Sequence, residues 1–276
     1  MAGTDERLII AIDQSTSATK AIAFTPSGAI AASASSEHEQ HYPRPGWVEH
    51  DPEELYACTL RSLRSVVGAL GAAARRVAAL AITNQRETIV VWDRVTGRPA
   101  CRAPVWLCQR GADLCARLAA AGHGSEARRR TGLPLDPYFS ASKIRWILDN
   151  VDGARAQARE GRLLFGTVDS WLAWKLTGGR AHVTDPTNAS RTLLMNLADL
   201  AWDDAMFALF DIPRSMAPTI TRSTMIVGTT TAEGIFDREV PIAGLMGDSH
   251  AAFFAQRCFS PGEAKATYGT GTSLMK

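Results

Sequence analysis

The chain has 276 residues, 46% of them hydrophobic and 21% charged, with a formal net charge of +2. This is ordinary globular composition, which excludes disorder and fibres. The near-neutral charge without a basic stripe gives no sign of a nucleic-acid partner. The five cysteines (Cys58, Cys101, Cys108, Cys115, Cys258), an odd count, have neither zinc nor CxxC spacing, and no stretch approaches the ~20 apolar residues of a membrane span.

The expectation is therefore a soluble cytoplasmic protein with reduced thiols and enough length for one large α/β domain or two small ones. The 25 arginines against five lysines read as coding bias, not as phosphate recognition. In chain order, residues 1–7 form a tail, and the β-branched run Leu8–Ile12 predicts a buried strand. Small polar residues Asp13 to Lys20 break that strand, Ala21–Phe24 predicts a second, and Pro26-Ser27-Gly28 turns into a third near Ile30 to Ser36. Backbone N–H groups in such a hydroxyl-rich turn can face an anion. Asp51-Pro52-Glu53-Glu54 supplies a cap, a first-turn proline and two acids, and predicts a helix to about Leu70.

Val77–Ile82 and Thr88–Trp92 read as strands around the polar insert Thr83-Asn84-Gln85-Arg86-Glu87. Helical patterns follow at 110–121, 143–150 and 153–160, then a strand at Leu163–Phe165 and a helix at Ser170–Thr177. Residues 186–221 read as loop with one short helix near Asp203 to Leu209. A strand at Pro241–Met246 leads through Gly247-Asp248 into an apolar helix, and a last strand over 263–268 ends in Tyr268-Gly269-Thr270-Gly271-Thr272. The chain ends as a further strand begins, so it reads as cut at Lys276. Interleaved strands and helices make the fold class α/β.

Two hydroxyl- and glycine-rich loops follow strands, one after Asp13 and one at Gly269-Thr270. Neither is a P-loop nor GxGxxG, and either alone is more often an ordinary turn. As a pair they fit nucleotide phosphates. Asp13 and Asp248 both stand at strand ends. Phosphoryl transfer uses a metal-associated carboxylate and a carboxylate that takes the hydroxyl proton, whereas the plain alternative for Asp248 is a helix cap. Arg86 and Glu87 offer a donor and an acceptor for hydroxyls, and Trp106 and Tyr138 offer aromatic faces for C–H groups. Each of these also has a structural reading, as a solvated turn or as core.

The ordered segments Pro45–Pro52, Ile82–Thr88, Asp136–Tyr138, Phe165–Asp169, Thr184-Asp185, Asn188–Thr192 and the stretch Tyr138–Ile147 are similar to those of the FGGY carbohydrate kinases. The chain resembles their N-terminal domain over residues 8–276, nearest to the glycerol kinases. The resemblance implies an actin- and hexokinase-like fold, with a ribonuclease-H-like domain on each side of a cleft that takes ATP, Mg²⁺ and a small polyol or sugar. By matching position it implies Asp248 as catalytic base and Asp13 as the Mg²⁺-associated carboxylate, acting through water. It assigns Thr16, Ser17, Lys20, Gly269 and Thr270 to the phosphates, and Arg86, Glu87, Trp106, Tyr138, Asp248, Ser249 and Ser273 to the substrate.

Four positions depart from the glycerol-kinase pattern. Ser15 replaces glycine and Lys20 replaces arginine, which keeps the charge but loses the bidentate fork. Ser249 and Ser273 replace glutamine and an aromatic that touch the triol. The expectation is phosphorylation of a polyol hydroxyl, glycerol to glycerol 3-phosphate first. A larger polyol or ketose such as erythritol or xylulose is the alternative, and a non-catalytic polyol-binding module the further one. With a C-terminal kinase domain missing, the chain alone is expected to bind polyol weakly and turn over little. A full-length form is expected to be a homo-oligomer.

Overall fold

The computed structural model describes residues 7–268 and 272–276. Its centre is a six-stranded sheet. Three strands run antiparallel at one side: β1 (Leu8–Gln14), β2 (Ala18–Phe24) and β3 (Ile30–Glu37). On the other side of β1 lie β4 (Val77–Asn84), β8 (Val240–Gly247) and the short β7 (Gly228–Thr230), in the order β7-β8-β4-β1-β2-β3. β8, β4 and β1 are parallel neighbours, so Asp13, Thr83 and Met246 stand side by side, as do Gln14, Asn84 and Gly247. Three carboxyl ends therefore open onto one edge, where ligands of α/β sheets bind.

Helix α1 (Pro52–Leu70) starts as its sequence dictates: Asp51 caps by accepting from the Glu53 amide, and Pro52 takes the first position. Its stripe of Leu55, Leu63 and Val66 shares one core with Ile10, Ile12, Leu80 and Ile242 of the sheet, and with Trp171 and Leu172 of a later helix.

A second core lies around β5 (Ile89–Asp93) and β6 (Leu163–Thr167), an antiparallel pair in which every residue is buried. Ile89 and Val91 face this second core while Val90 and Trp92 face the first, which is why the run is apolar without alternation. Helices α2 (Ala112–Ala120), α3 (Gly124–Thr131), α4 (Ser140–Asn150), α5 (Ala154–Arg159), α6 (Val168–Leu176), α7 (Pro186–Ala189) and α8 (Asp204–Phe210) follow in order. Beyond β8, α9 (Asp248–Ala255) leads to the hairpin of β9 (Lys265–Tyr268) and β10 (Thr272–Met275).

Three local expectations shift. Strand β1 runs on through Asp13 and Gln14, and β2 begins at Ala18, which shortens the expected eight-residue turn to Ser15-Thr16-Ser17. The alternation continues there because Gln14 and Thr19 are buried polar side chains that keep the strand period. Helix α3, arginine-rich and with only Ala127 and Thr131 buried, had no apolar stripe to announce it. Helix α4 begins three residues before its apolar run, because Ser140, Ala141 and Ser142 are packed within the protein.

Candidate active site

The turn between β4 and β5 is the centre of the site. Gln85 continues the sheet register, its amide donating to the Gln14 carbonyl at 2.7 Å. Its side chain then donates to Gln14 Oε1 (3.0 Å) and the Ser15 carbonyl (3.2 Å), while Thr88 Oγ1 donates to Gln85 Oε1 (2.8 Å). Glu87 sits at φ +62°, a left-handed conformation that a side chain adopts only when its surroundings hold it. They do: Ser140, the first residue of α4, donates to the Glu87 carbonyl at 2.9 Å, and Arg191 Nε donates to Glu87 Oε1 at 2.6 Å. Burial pushes the Glu87 carboxyl above its usual range, against the opposing pull of Arg86 and Arg191.

Arg86 is nearly covered, and its Nε lies 3.4 Å from Asp248 Oδ1, on a carboxylate that is about two-fifths exposed. Its Nη1 lies 3.3 Å from His250 Nδ1. Gly247 makes room for it: a Cβ there would stand 2.6 Å from Arg86 Cδ. Asp248 is the first residue of α9, with Gly247 at the cap position, and it accepts from the Ser249 amide (2.5 Å). The simple capping alternative therefore does not describe it.

The aromatic side is fixed as firmly. Trp106 donates from its indole to Thr16 Oγ1 (3.0 Å) and meets Tyr138 edge-on, with ring centroids 5.7 Å apart. These groups enclose one cavity of about 380 Å³, lined by Ser15, Thr16, Ser17, Gln85, Arg86, Glu87, Trp106, Tyr138, Asp248, Ser249, Thr267, Thr272 and Ser273. Every substrate position implied by the resemblance is in that lining, as are Thr16 and Ser17 of the phosphate set.

Asp13 and Lys20 are cross-strand partners in the β1–β2 ladder beside the cavity and are not part of its wall. Burial raises the Asp13 carboxyl, Lys20 lowers it, and the charge of Asp248 raises it. Gly269 and Thr270 lie outside the described residues. In the lining, Gln85, Thr267 and Thr272 carried no expected site role, nor did Arg191 and His250 behind it, and Ser15 was marked only as a departure from the glycerol-kinase pattern. Gln85 and Arg191 lie inside quoted motifs. His250 gave no signal, since its role comes from Arg86 reaching it across 164 residues.

Beneath the wall a buried polar network ties the parts together. Asn84 and Asn188 exchange amide hydrogen bonds (3.0 and 3.2 Å), Asn188 donates to Asp185 (3.0 Å), and Thr187 Oγ1 accepts from the Gly247 amide (2.8 Å). The end of β4, α7 and the start of α9 are thereby held in one register. Among the described residues there is no group of three or more His, Cys, Asp or Glu side chains able to hold a metal, and no helix is long and apolar enough to cross a membrane.

Comparison with known proteins agrees with this arrangement. The family model described as "FGGY family of carbohydrate kinases, N-terminal domain" matches residues 8–255. A glycerol kinase of Methylobacterium nodulans is 55% identical over 265 residues, 96% of this chain and 53% of that protein. Glycerol kinase 1 of Thermotoga maritima is 51% identical over 97% of this chain and 54% of its own length. The crystal structure of Plasmodium falciparum glycerol kinase with ADP superposes with a TM-score of 0.92 at 36% identity, covering 98% of this chain and 54% of that one. The chain thus spans about half the length of the relatives it matches. It belongs to the FGGY family of carbohydrate kinases, as their N-terminal domain.

Proposed function

We propose that this domain supplies the polyol-binding wall and the proton-accepting carboxylate of an ATP-dependent polyol kinase of the cytoplasm, with glycerol the first substrate to expect. The observation that carries the reading is the single cavity in which Arg86, Glu87, Trp106, Tyr138 and Asp248 converge. Arg86 donates to substrate hydroxyls, Glu87 accepts from them, and the two rings cover the carbon chain. A site built this way discriminates strongly, because a substrate without the hydroxyls leaves buried polar groups unpaired.

Asp248, with the Arg86 guanidinium at its side, takes the proton of the reacting hydroxyl as its oxygen bonds to phosphorus and the bond to the ADP oxygen breaks. ATP supplies the transferred phosphoryl group. The hydroxyls of Thr16 and Ser17 and the ammonium of Lys20 line its approach, and Gly269 and Thr270 are assigned the second phosphate contact. Mg²⁺ fits Asp13: it is commonly held by one or two carboxylates together with phosphate oxygens and waters, and Asp13 would hold it through water.

Ser249 and Ser273 favour a second substrate class. Both line the cavity with short hydroxyl side chains where a long amide and an aromatic would fill it, which suits a four- or five-carbon polyol or ketose.

The test is calorimetric binding of glycerol, erythritol and xylulose to the 276-residue chain, beside a coupled turnover assay. We expect weak polyol binding, lost in Arg86→Ala, and little turnover by the domain alone. In the full-length kinase Asp248→Asn should keep polyol binding while kcat falls by about 10²–10⁴. A chain that binds none of the three compounds overturns the reading, and a panel in which only glycerol binds removes the larger-substrate class.

A further inference from the structure

Lys143 is among the largest fully buried side chains in the protein, and the cavity does not contain it. It is the fourth residue of α4, inside the segment Tyr138–Ile147. Its ammonium donates to the carbonyls of Pro137 (2.6 Å) and Tyr138 (2.6 Å), with the Phe139 carbonyl at 3.4 Å. Among the described residues none of its hydrogen bonds goes to a carboxylate. A buried, unpaired cation near a helix N-terminus opposes both desolvation and the helix dipole, so core packing gives no reason for it. Three carbonyls from consecutive residues, all immediately before the helix, do give one. They belong to the turn that carries Tyr138 into the cavity wall.

We propose that Lys143 is a positioning residue of the polyol site: by gathering these three carbonyls it fixes the Tyr138 ring against Trp106 and beside Glu87. This rests on the polyol reading of the cavity. The same helix start holds the other side of the site, since Ser140 secures the Glu87 carbonyl. One helix terminus therefore sets the aromatic and the acidic walls together. Glu87 from the β4–β5 turn, Cys108 from the segment before α2, Cys115 from α2 and Asp136 from the preceding loop all face the ammonium. Burial outweighs them and lowers Lys143 to about 8.

The sign distinguishes positioning from a plain structural role. Above about pH 8 the folded state holds a neutral amine while the unfolded chain still binds the proton. The protein's stability gains from this group as pH rises toward the ordinary lysine range. The turn, however, loses a charge-assisted donor, so polyol affinity falls over the same interval. A residue serving stability alone would not weaken binding while stabilising the fold.

The experiment follows the five lysines by ¹³C labelling and the four tyrosines by ring signals from pH 6.5 to 9.5, with glycerol Kd by calorimetry in parallel. We expect one lysine to titrate near 8 and to be absent in Lys143→Met, with Tyr138 ring signals moving at the same midpoint. Glycerol Kd should rise about tenfold, the worth of one charged hydrogen bond. Lys143→Met should show the raised Kd at pH 7 with no step near 8, and the wild-type titration serves alone if that variant does not fold. Tyr138 signals that ignore the Lys143 titration overturn the proposal whether or not polyol binds. A glycerol Kd that stays flat while Lys143 titrates overturns it as well. Absence of any polyol binding, with Tyr138 still following Lys143, overturns the reading of the cavity and leaves the positioning of Tyr138 supported.

Discussion

The two walls of the cavity are built to different standards. On one side, Gln85, Arg86, Glu87 and Thr88 are all buried and Lys143 lies behind them. Each backbone turn there is held by at least one side chain from a distant element. On the other, α9 has no buried residue, and Phe254, Phe259, Tyr268 and Leu274 are exposed around it and along the β9–β10 hairpin. The first wall is largely finished before any ligand arrives, with Arg86 Nε left buried and without a hydrogen-bond partner. The second carries Asp248 on a helix fixed chiefly at its start, through Gly247 and Thr187. The first wall is therefore the more tightly tied of the two, and α9 the more open.

The comparison breaks most easily at the Glu87–Arg191 pair. Removing the guanidinium in Arg191→Ala leaves a buried carboxylate at positive φ with one cation fewer, and should cost about 3 kcal/mol. Urea unfolding would show this as a lower midpoint at unchanged slope. The damage should spread to the ring of Tyr138, which Arg191 also faces with its guanidinium carbon 5.8 Å from the centroid. A loss under about 1 kcal/mol would mean the finished wall is less interlocked than its hydrogen bonds imply.

At the seam between the walls the effect should be smaller and split. Gly247→Ala faces no backbone strain, since its φ of −61° suits any residue, but its Cβ would strike Arg86 at 2.6–2.7 Å. The buried arginine stem must then move, at a cost of about 1–3 kcal/mol typical of overpacking. The guanidinium moves with it, away from Asp248 Oδ1. Glycerol Kd should rise several-fold in calorimetry while the far-UV spectrum stays unchanged. Unaltered affinity would show that Arg86 reaches its place from more than one stem position.

The sequence made the sheet legible wherever one physical rule acted alone. The β-branched run of β1, the Asp51-Pro52 start of α1 and the strand-to-helix step at Gly247-Asp248 all read correctly, because capping, periodicity and glycine placement are local. The site was legible as a set of types and not as an assembly: Arg86, Asp248 and Tyr138 are separated by long stretches of chain, and only the parallel order of β1, β4 and β8 with the start of α4 unites them. The resemblance to the FGGY kinases substituted for that missing topology. It took in Lys143 without a role for it and did not reach the part played by His250, since their placement depends on buried carbonyls and on a side chain 164 residues away. The shortened Ser15–Ser17 turn escaped for a related reason, since buried Gln14 and Thr19 look like loop residues until their partners are known.

The smallest expected effect tests the open wall itself. Phe254 is 61% exposed on α9 and meets Phe259 edge-on at 5.3 Å between centroids. If that surface faces water, Phe254→Gln removes little buried area, and unfolding should change by less than about 0.5 kcal/mol at any protein concentration. A glutamine also keeps the helix propensity near that of the residue it replaces. A loss above about 1 kcal/mol that disappears on dilution would show the aromatic covered by a second copy of the chain, because association stabilises by mass action. A loss independent of concentration would place the ring inside the domain, and the two walls would then be equally built. The difference between them depends on this small number staying small.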